Sequence, residues 1–518
     1  MRTESTSVLV VGGGLVGTSA ALFLAWRGVP TALVERHPGS SPHPRAIGYT
    51  PRTMELYRAV GLGDRIPASP PAGGVGHGVR RVRVESLAGQ WFEEQPWTPG
   101  GRAEEIEYSP CTGAGIAQDR LEPILRDQAR SFSADVRMST ELLEFSQDED
   151  GVRAVLRGAD GSVYAMRADY LIAADGCASG IRETLGIGCS GRGYLQTSRS
   201  VLFRADLNEY LRQGFCQFVI DQPEFGGFVT TYGDGRWLLF HGQQETDPAV
   251  LEGLVRRAIG RTDLAIEVVT TGVFDVRAEI AQRYREGRVL LTGDAAHTLP
   301  PNRGGYSANT GIEDAHNLAY KLAAVLGGQA RPELLDTYEA ERRPVAGLCH
   351  DQIFARMDAE DGASPTPIID DAAMAFGYLY RSAAIHGAGE ELPAARRPED
   401  WAGQPGTRAP HLWLGPHEST LDLYQVGWVL LAEGEAWAEA VRSAEKRLGV
   451  PVELVSLTGP EFAEQLREEI RRGYGIEDGG ACLVRPDGYI AWRAVRAPGD
   501  PVVALFEALA SVSFAKGV

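Results

Sequence analysis

The sequence contains no apolar stretch approaching the ~20 residues that a membrane-spanning helix needs. Its first residues, Met1 to Ser7, are polar and run straight into a short apolar segment, so no signal peptide is expected either. Cysteine is sparse: Cys111, Cys177, Cys189, Cys216, Cys349 and Cys482 are scattered without a close pair. That spacing argues against a disulfide framework or a cysteine-based zinc site, and leaves reduced thiols in a cytoplasmic protein. Positive charge is in deficit, with 51 basic against 69 acidic residues and a net charge of -18. Such a field repels a phosphate backbone or an anionic membrane and favours solubility, so neither nucleic acid nor a membrane is an expected partner. Neither Gly-x-Ser-x-Gly nor His-Glu-x-x-His occurs, which leaves hydrolase chemistry without a motif.

What is present begins at the first apolar run. Val8 to Val11 reads as a buried strand and meets Gly12-Gly13-Gly14-Leu15-Val16-Gly17 at once. A helical stretch follows from Leu15 to Arg27, with Gly28 placed to stop it, and a second strand, Thr31 to Val34, ends on Glu35. This is a βαβ unit for a dinucleotide. Gly12 permits the tight turn, Gly14 lets the backbone approach a pyrophosphate, and Gly17 lets helix and strand pack closely. The phosphates then face unpaired N–H groups at the positive end of a helix dipole. An acid at Glu35 accepts from free ribose hydroxyls and disfavours a 2′-phosphate, so the bound nucleotide is FAD or NAD(H), and the unit alone does not separate them.

With 518 residues the chain is too long for one core, and the rest of it reads as further units. Val79, Val82 and Val84 alternate with arginines as in an exposed or edge strand. Segments 215–220, 227–232 and 236–241 read as successive strands, the last two joined by the hairpin signal Gly233-Asp234-Gly235. A largely antiparallel sheet over 190–278 therefore interrupts the dinucleotide domain. A helix over 312–326 carries apolar residues at 312, 315, 319, 322 and 326, one buried face, and ends at Gly327-Gly328. Residues 386–406 have a linker's composition. Beyond them lie a strand from 427, a helix over 435–448, a strand over 452–455, a hairpin around Pro486-Asp487-Gly488 and a terminal helix, an order of βαβ then ββα.

Two later segments repeat the logic of strand, small residues and acid: Tyr170 to Arg182, with Asp175-Gly176, and Arg288 to His297, with Gly293-Asp294. With the first glycine turn they form a triple motif over residues 7–345 that resembles the FAD-dependent aromatic-ring hydroxylases of the p-hydroxybenzoate hydroxylase class. The resemblance implies an α/β fold: a Rossmann-type FAD-binding domain (1–75, 104–189 and 279–385) interrupted by a sheet domain for substrate (76–103 and 190–278). A linker (386–406) and a thioredoxin-like domain without CxxC (407–518) would follow. Thr50 to Leu56 and Val484 to Arg493 look most like the polyketide hydroxylases of anthracycline-type pathways.

The family's roles carry over to Gly12, Gly14, Val16, Gly17, Glu35 and Arg36 around the dinucleotide. They also carry to Asp175 for FAD and NAD(P)H, and to Gly293 and Asp294 for the ribityl chain. Arg45, in Pro44-Arg45-Ala46, is the candidate beside a mobile flavin, and Gln118 the glutamine that touches FAD. Pro301, Gly304 and Asn309 belong to the loop along the flavin, which is one residue longer here than the commoner pattern. His297 and Tyr306 are the titratable residues nearest those segments and stand with Arg45 as candidates for catalysis; no residue is singled out to deprotonate the substrate. The implied cycle uses bound FAD, a transient NADPH or NADH, and O2, which forms a C4a-hydroperoxide that hydroxylates a phenolic aromatic. Aromatic residues of the middle sheet, Phe215, Phe218, Phe228, Tyr232, Trp237 and Phe240, are expected to wall that substrate, about half of them packing the core instead. Epoxidation, Baeyer–Villiger or decarboxylative oxidation, a small phenol or hydroxy-heteroaromatic as substrate, and a non-catalytic flavin sensor remain alternatives. Monomer and homo-oligomer stay equally open.

Overall fold

The strands assemble into three large sheets and one two-stranded pair among the described residues. The computed structural model describes residues 2–67, 80–95, 106–211, 215–245, 247–301, 305–360, 365–459 and 462–516. The chain opens with β1 (Thr3–Val11), α1 (Leu15–Trp26) and β2 (Thr31–Glu35), the expected unit, with Gly28 past the end of α1 at φ 75°. Then come α2 (Pro51–Ala59), β3 (Arg80–Val84), β4 (Trp91–Gln95) and α3 (Gln118–Ser131). Four strands follow: β5 (Asp135–Met138), β6 (Glu141–Gln147), β7 (Val152–Arg157) and β8 (Val163–Ala173). The middle segment holds β9 (Cys189–Arg204), β10 (Phe215–Gln222), β11 (Phe225–Thr231), β12 (Arg236–His241), α4 (Pro248–Ile259) and β13 (Glu267–Ala281). The chain then returns to the first sheet through β14 (Val289–Leu291), α5 (Tyr306–Leu326) and α6 (Asp336–Glu360). The last unit is β15 (Trp428–Ala432), α7 (Ala436–Leu448), β16 (Val452–Ser456), α8 (Glu464–Tyr474), β17 (Ala481–Val484), β18 (Ile490–Ala494) and α9 (Pro501–Ser513).

In the first sheet β14, β8, β1, β2 and β5 lie side by side and parallel. Val11 pairs with Ala173 and Ala173 with Leu291, so three strands end at one level and their following turns emerge together. That is the edge at which open α/β sheets bind ligands.

The second sheet has the order β13-β9-β12-β11-β10-β3-β4 and is antiparallel except where β10 runs parallel to β3. Strand β3, expected as an exposed or edge strand, is flanked on both sides, by β10 and β4; Val82 and Val84 are buried while Arg81 and Arg83 reach Gln217 and Asp221 on β10. Strict alternation divides the sheet's aromatics. Phe218 and Trp237 pack with Val201, Phe203 and Leu239 against α4, whereas Leu202, Leu238 and Phe240 turn toward Ile47 and Ala117 of the first unit.

The third sheet, β16-β15-β17-β18, has β15 parallel to β16 and the other pairs antiparallel. Its hairpin turn, Arg485 to Gly488, docks on α5 and α6. Arg485 donates to both oxygens of Glu341 at 2.6 and 2.9 Å, and Lys321 and Asn317 each donate to Glu341 at 2.8 Å. Arg27 donates to Pro486 O at 2.9 Å. Nearby, buried Glu55 of α2 joins Arg52 to Arg408. Residues 386–406 are not the free linker that their composition implied. His386 N donates to Ala491 O, Gly406 N to Ile490 O, and Ala395 and Trp401 are buried, so the segment is irregular but anchored. The six cysteines are unpaired. Among the described residues no helix is long and apolar enough to cross a membrane, and no cluster of His, Cys, Asp and Glu is arranged to hold a metal.

Burial opposes ionisation of Glu341, but Arg485 and Lys321 outweigh it and hold the carboxyl well below the usual range. Arg485→Met is expected to destabilise the protein by roughly 3–5 kcal/mol, because it strips a buried carboxylate of its main partner. A depressed carboxyl pKa contributes stability above its unfolded value, about 4.3, and loses it as pH falls. The acid limb of a stability–pH curve is therefore expected to flatten in the variant, as measured by denaturant unfolding.

Candidate active site

The three turns that emerge at the sheet edge are locked by contacts only glycine permits. Gly12 has φ 109°, and a Cβ there would stand 2.2 Å from Ala174 O; a Cβ on Gly17 would stand 1.9 Å from Gly12 O. Val16 wedges against the third turn, where a Cβ on Gly293 or on Gly311 would lie 2.9 or 2.6 Å from its Cγ2. Asp175 accepts from Ser179 Oγ at 2.6 Å and from Ile181 N at 3.2 Å, which caps the short helix Gly180–Thr184. From that helix Arg182 donates to Cys177 O and to Ala295 O, clamping the second turn to the third.

Gly14 behaves differently. The nearest atom to a Cβ built on it is Glu122 Oε1 at 3.9 Å, so its face is open. It starts α1 with no side-chain cap and no acid in the first turn, which leaves the helix's leading N–H groups available to an anion. Glu35 accepts from Gly13 N at 2.7 Å and His37 N at 2.8 Å, which places its carboxylate at the same turn with lone pairs to spare. Arg36 lies beside it, exposed. An open glycine face, an uncapped helix and a ribose-height carboxylate fit the diphosphate and ribose of FAD.

Farther along, Asp294 accepts from Ser307 Oγ at 3.0 Å, and its other oxygen lies 4.0 Å from Arg45 Nη1. Arg45 is 59% exposed and rides on a strap, residues 43–46, tied to both large sheets. Gln118 Oε1 accepts from Arg45 N and Ala46 N, Tyr232 OH donates to Pro44 O, and His43 Nε2 sits 2.9 Å from Ser200 Oγ. Gln118, given by the resemblance as a residue touching FAD, has its amide oxygen holding the strap. Pro301 is exposed, and Gly304 lies outside the described residues. Asn309 is 3% exposed: its Oδ1 accepts from Thr50 N and Thr53 Oγ1, and its Nδ2 donates to Gly305 O and Gly48 O. All four of these partners are protein groups, so Asn309 fixes α5 against the N-terminus of α2.

Neither ring expected to act on substrate reaches an open surface. His297 is 1% exposed, with Nε2 2.6 Å from Asp314 Oδ2, and Arg342 Nε donates to the other oxygen of Asp314 at 2.7 Å. Burial disfavours the Asp314 charge, but His297 and Arg342 together keep its pKa low. Tyr306 is buried, its hydroxyl accepts from Arg356, and burial pushes its phenol up. These two side chains hold the third turn and the start of α5 from behind. The sequence reading passed over His43 and Ser200; the available signal was a titratable residue two positions before Arg45.

The glycines separate folding from binding. Gly14→Val is expected to keep the thermal stability of the apoprotein within about 1 kcal/mol yet weaken FAD at least ~100-fold, by filling the diphosphate's approach. Gly17→Ala is expected to lower both, since its Cβ collides with backbone. Flavin fluorescence titration beside thermal melts reads the two effects apart.

A family model described as FAD binding domain matches residues 5–352, and one described as aromatic-ring hydroxylase, C-terminal, matches 402–513. The chain is 40% identical to a 4-methyl-5-nitrocatechol 5-monooxygenase of a Burkholderia species, over 98% of this chain and 97% of that one. It is also 40% identical to an aklavinone 12-hydroxylase of Streptomyces purpurascens, over 96% and 97%. A solved aklavinone-11 hydroxylase in ternary complex with FAD and aklavinone superposes with a TM-score of 0.88 at 37% identity, covering 99% of this chain and all of that one. With two family matches spanning most of its length and relatives aligned from end to end, the chain belongs to the FAD-dependent aromatic-ring hydroxylases and is a flavin monooxygenase.

Proposed function

We propose that this monooxygenase hydroxylates a phenolic ring of a polycyclic, polyketide-type substrate, using NADPH or NADH and O2, in the cytoplasm. The observation that carries the reading is an aromatic face on the second sheet. Phe228 of β11, Phe240 of β12 and Phe274 of β13 line up with ring centroids 6.1 Å apart at each step, all half-buried. Between and beside them the same face carries the small residues Ser198, Ser200 and Gly272. Four strands, β11-β12-β9-β13, carry this face, so it is about 14 Å across at ~4.8 Å per strand, broader than one phenol and suited to several fused rings. Ile47 of the segment after Arg45 packs at its border, so a flat substrate lying there has one end at the flavin-facing strap.

FAD, when bound, supplies the acceptance of hydride from the nicotinamide, the activation of O2 and the transfer of one oxygen atom to the ring. The chain's own residues orient and exclude water. Gly14 and the leading N–H groups of α1 receive the diphosphate, in a turn that Gly12, Val16 and Gly17 shape, with Glu35 and Arg36 at the ribose. Asp294 with Gly293 takes the ribityl hydroxyls, Asp175 borders the flavin and nicotinamide, Pro301 lies beside the ring system, and Asn309 acts from within α5 by fixing that helix against α2. Arg45, exposed and held by Gln118, is the cation beside the flavin. The C-terminal unit has the β-strand order of a thioredoxin-like domain, lacks CxxC, and buries Cys482 with its thiol pKa pushed up, so it serves packing and not thiol exchange.

The named substrate of the Burkholderia relative is a single-ring nitrocatechol, which makes a small phenol the second reading. Purified protein is expected to be yellow and to oxidise NAD(P)H faster with a hydroxylated polycyclic quinone, giving a product heavier by one oxygen. Phe240→Ala is expected to raise KM for that substrate roughly tenfold, about 1.4 kcal/mol of lost ring contact, and to leave a small catechol within ~2-fold. Stimulation by small catechols alone, with no loss in Phe240→Ala, sustains the second reading instead. Carbon loss, lactone formation or an epoxide in the product would point to another oxidation on the same scaffold.

A further inference from the structure

The strap that carries Arg45 also brings a titratable ring to the aromatic face. His43 Nε2 lies 2.9 Å from Ser200 Oγ on β9, and a Cβ on Gly272 of β13 would stand 2.9 Å from the same nitrogen, so a glycine there makes room for the ring. Ser200 is paired with Phe240 on one side and with Gly272 on the other. The imidazole therefore sits over the small-residue gap next to Phe240, between the sheet and the segment that faces Asp294.

Other candidates are placed elsewhere. His297 and Tyr306 are buried and paired with Asp314 and Arg356. His241 follows Phe240 and by alternation points to the opposite side of β12. The hydroxyl of Tyr232 donates to Pro44 O.

We propose that His43 is the base that removes the proton from the substrate's phenolic hydroxyl, an assignment that rests on reading this face as the substrate wall. In that step the phenolic O–H bond breaks, an N–H bond forms on the imidazole, and the pair left on oxygen raises electron density at the ortho and para ring carbons. The imidazolium later returns its proton to water. Ser200 Oγ lies at Nε2 and can donate or accept there, so it orients the ring in either protonation state. Burial lowers the His43 pKa from its ordinary value; its own backbone carbonyl opposes this and Arg45 adds to it. The ring is accordingly neutral at pH 7 and able to accept. Ser200 and Gly272 face it from β9 and β13 without charge, and among the described residues the charge bearing on it is that of Arg45. The same guanidinium stabilises the phenolate once formed.

The test uses FAD-loaded full-length protein and a series of phenols of one ring size whose hydroxyls range from largely ionised to un-ionised at the assay pH. His43→Asn is expected to lower kcat/KM about 100-fold for un-ionised phenols and less than ~3-fold for ionised ones, with added imidazole restoring part of the loss. Ser200→Ala is expected to show the same dependence on phenol acidity at smaller amplitude, and it carries the test alone if His43→Asn fails to retain FAD. An equal loss across the series, or no loss with flavin content intact, overturns the assignment. The two readings fail separately: a wild-type protein that oxygenates no phenol of any size defeats the proposed function itself. One that oxygenates them with a flat His43→Asn response removes only the base.

Discussion

The geometry of the first sheet's edge hangs on one close approach, that of the Gly12 turn to the end of β8 and to its own helix at Gly17. No side chain fits at either contact. The consequence is geometric: α1 starts at the sheet edge with its N–H groups forward, and Val16 is thrust against Gly293 and Gly311. Segments nearly three hundred residues apart in sequence thus share one van der Waals knot. Because interiors are close-packed, a shift of any member moves the others. This explains why motifs that are individually weak gain force in combination. Each supplies a surface the next requires.

Behind the knot lies an unusual density of buried charge. Asp314 gathers His297 and Arg342, while Glu341 gathers Lys321, Asn317 and Arg485, all at or near zero exposure. Buried ion pairs are weak evidence for stability, since desolvation offsets most of the attraction. What they provide is register: each carboxylate is satisfied from two or three elements at once and in one arrangement. Through Glu341 the hairpin of the last sheet is tied to α5, and through Asp314 the third turn is tied to α5 as well. The C-terminal unit, lacking any thiol pair, thereby becomes part of the frame that holds the start of α5 near the site.

That frame also explains where the sequence was legible. β1, α1 and β2 and the hairpin at Gly233–Gly235 rest on local chemistry: turns, caps and periodicity; in the last unit the strands, α7 and α9 were legible, whereas α8, which buries only Ile470 and Tyr474, was not. Five of the six aromatics of the middle sheet divide as alternation implies, with Phe218 and Trp237 packed against α4 and Phe228, Tyr232 and Phe240 on the opposite face. The side chain of Phe215 lies outside the described residues. What escaped was the consequence of long-range pairing. The apolar spacing of α5 shows one buried face, yet Asp314, Asn317 and Lys321 are buried elsewhere on it, because Arg342 and Glu341 of α6 and Asp487 of the hairpin meet them there, and His316 is buried edge-on against Phe23 of α1. Polar residues read locally as solvent-facing. The same reason misplaced residues 386–406: composition measures periodicity, and this segment is held by backbone hydrogen bonds to β18, which need none.

The strap of residues 43–46 joins these two levels. It has neither helix nor strand, so its position is fixed by four side chains from elsewhere: Gln118, Tyr232, Ser200 and, through Arg45, Asp294. Two come from the first unit and two from the sheet domain, so the strap's place depends on both bodies being correctly set. A cation and an imidazole carried on such a segment are therefore positioned only in the assembled protein, at the border between the first unit and the aromatic face of the second sheet. An enzyme that must bring a planar substrate and a flavin edge into register gains from placing its charged groups on the element that both bodies jointly hold.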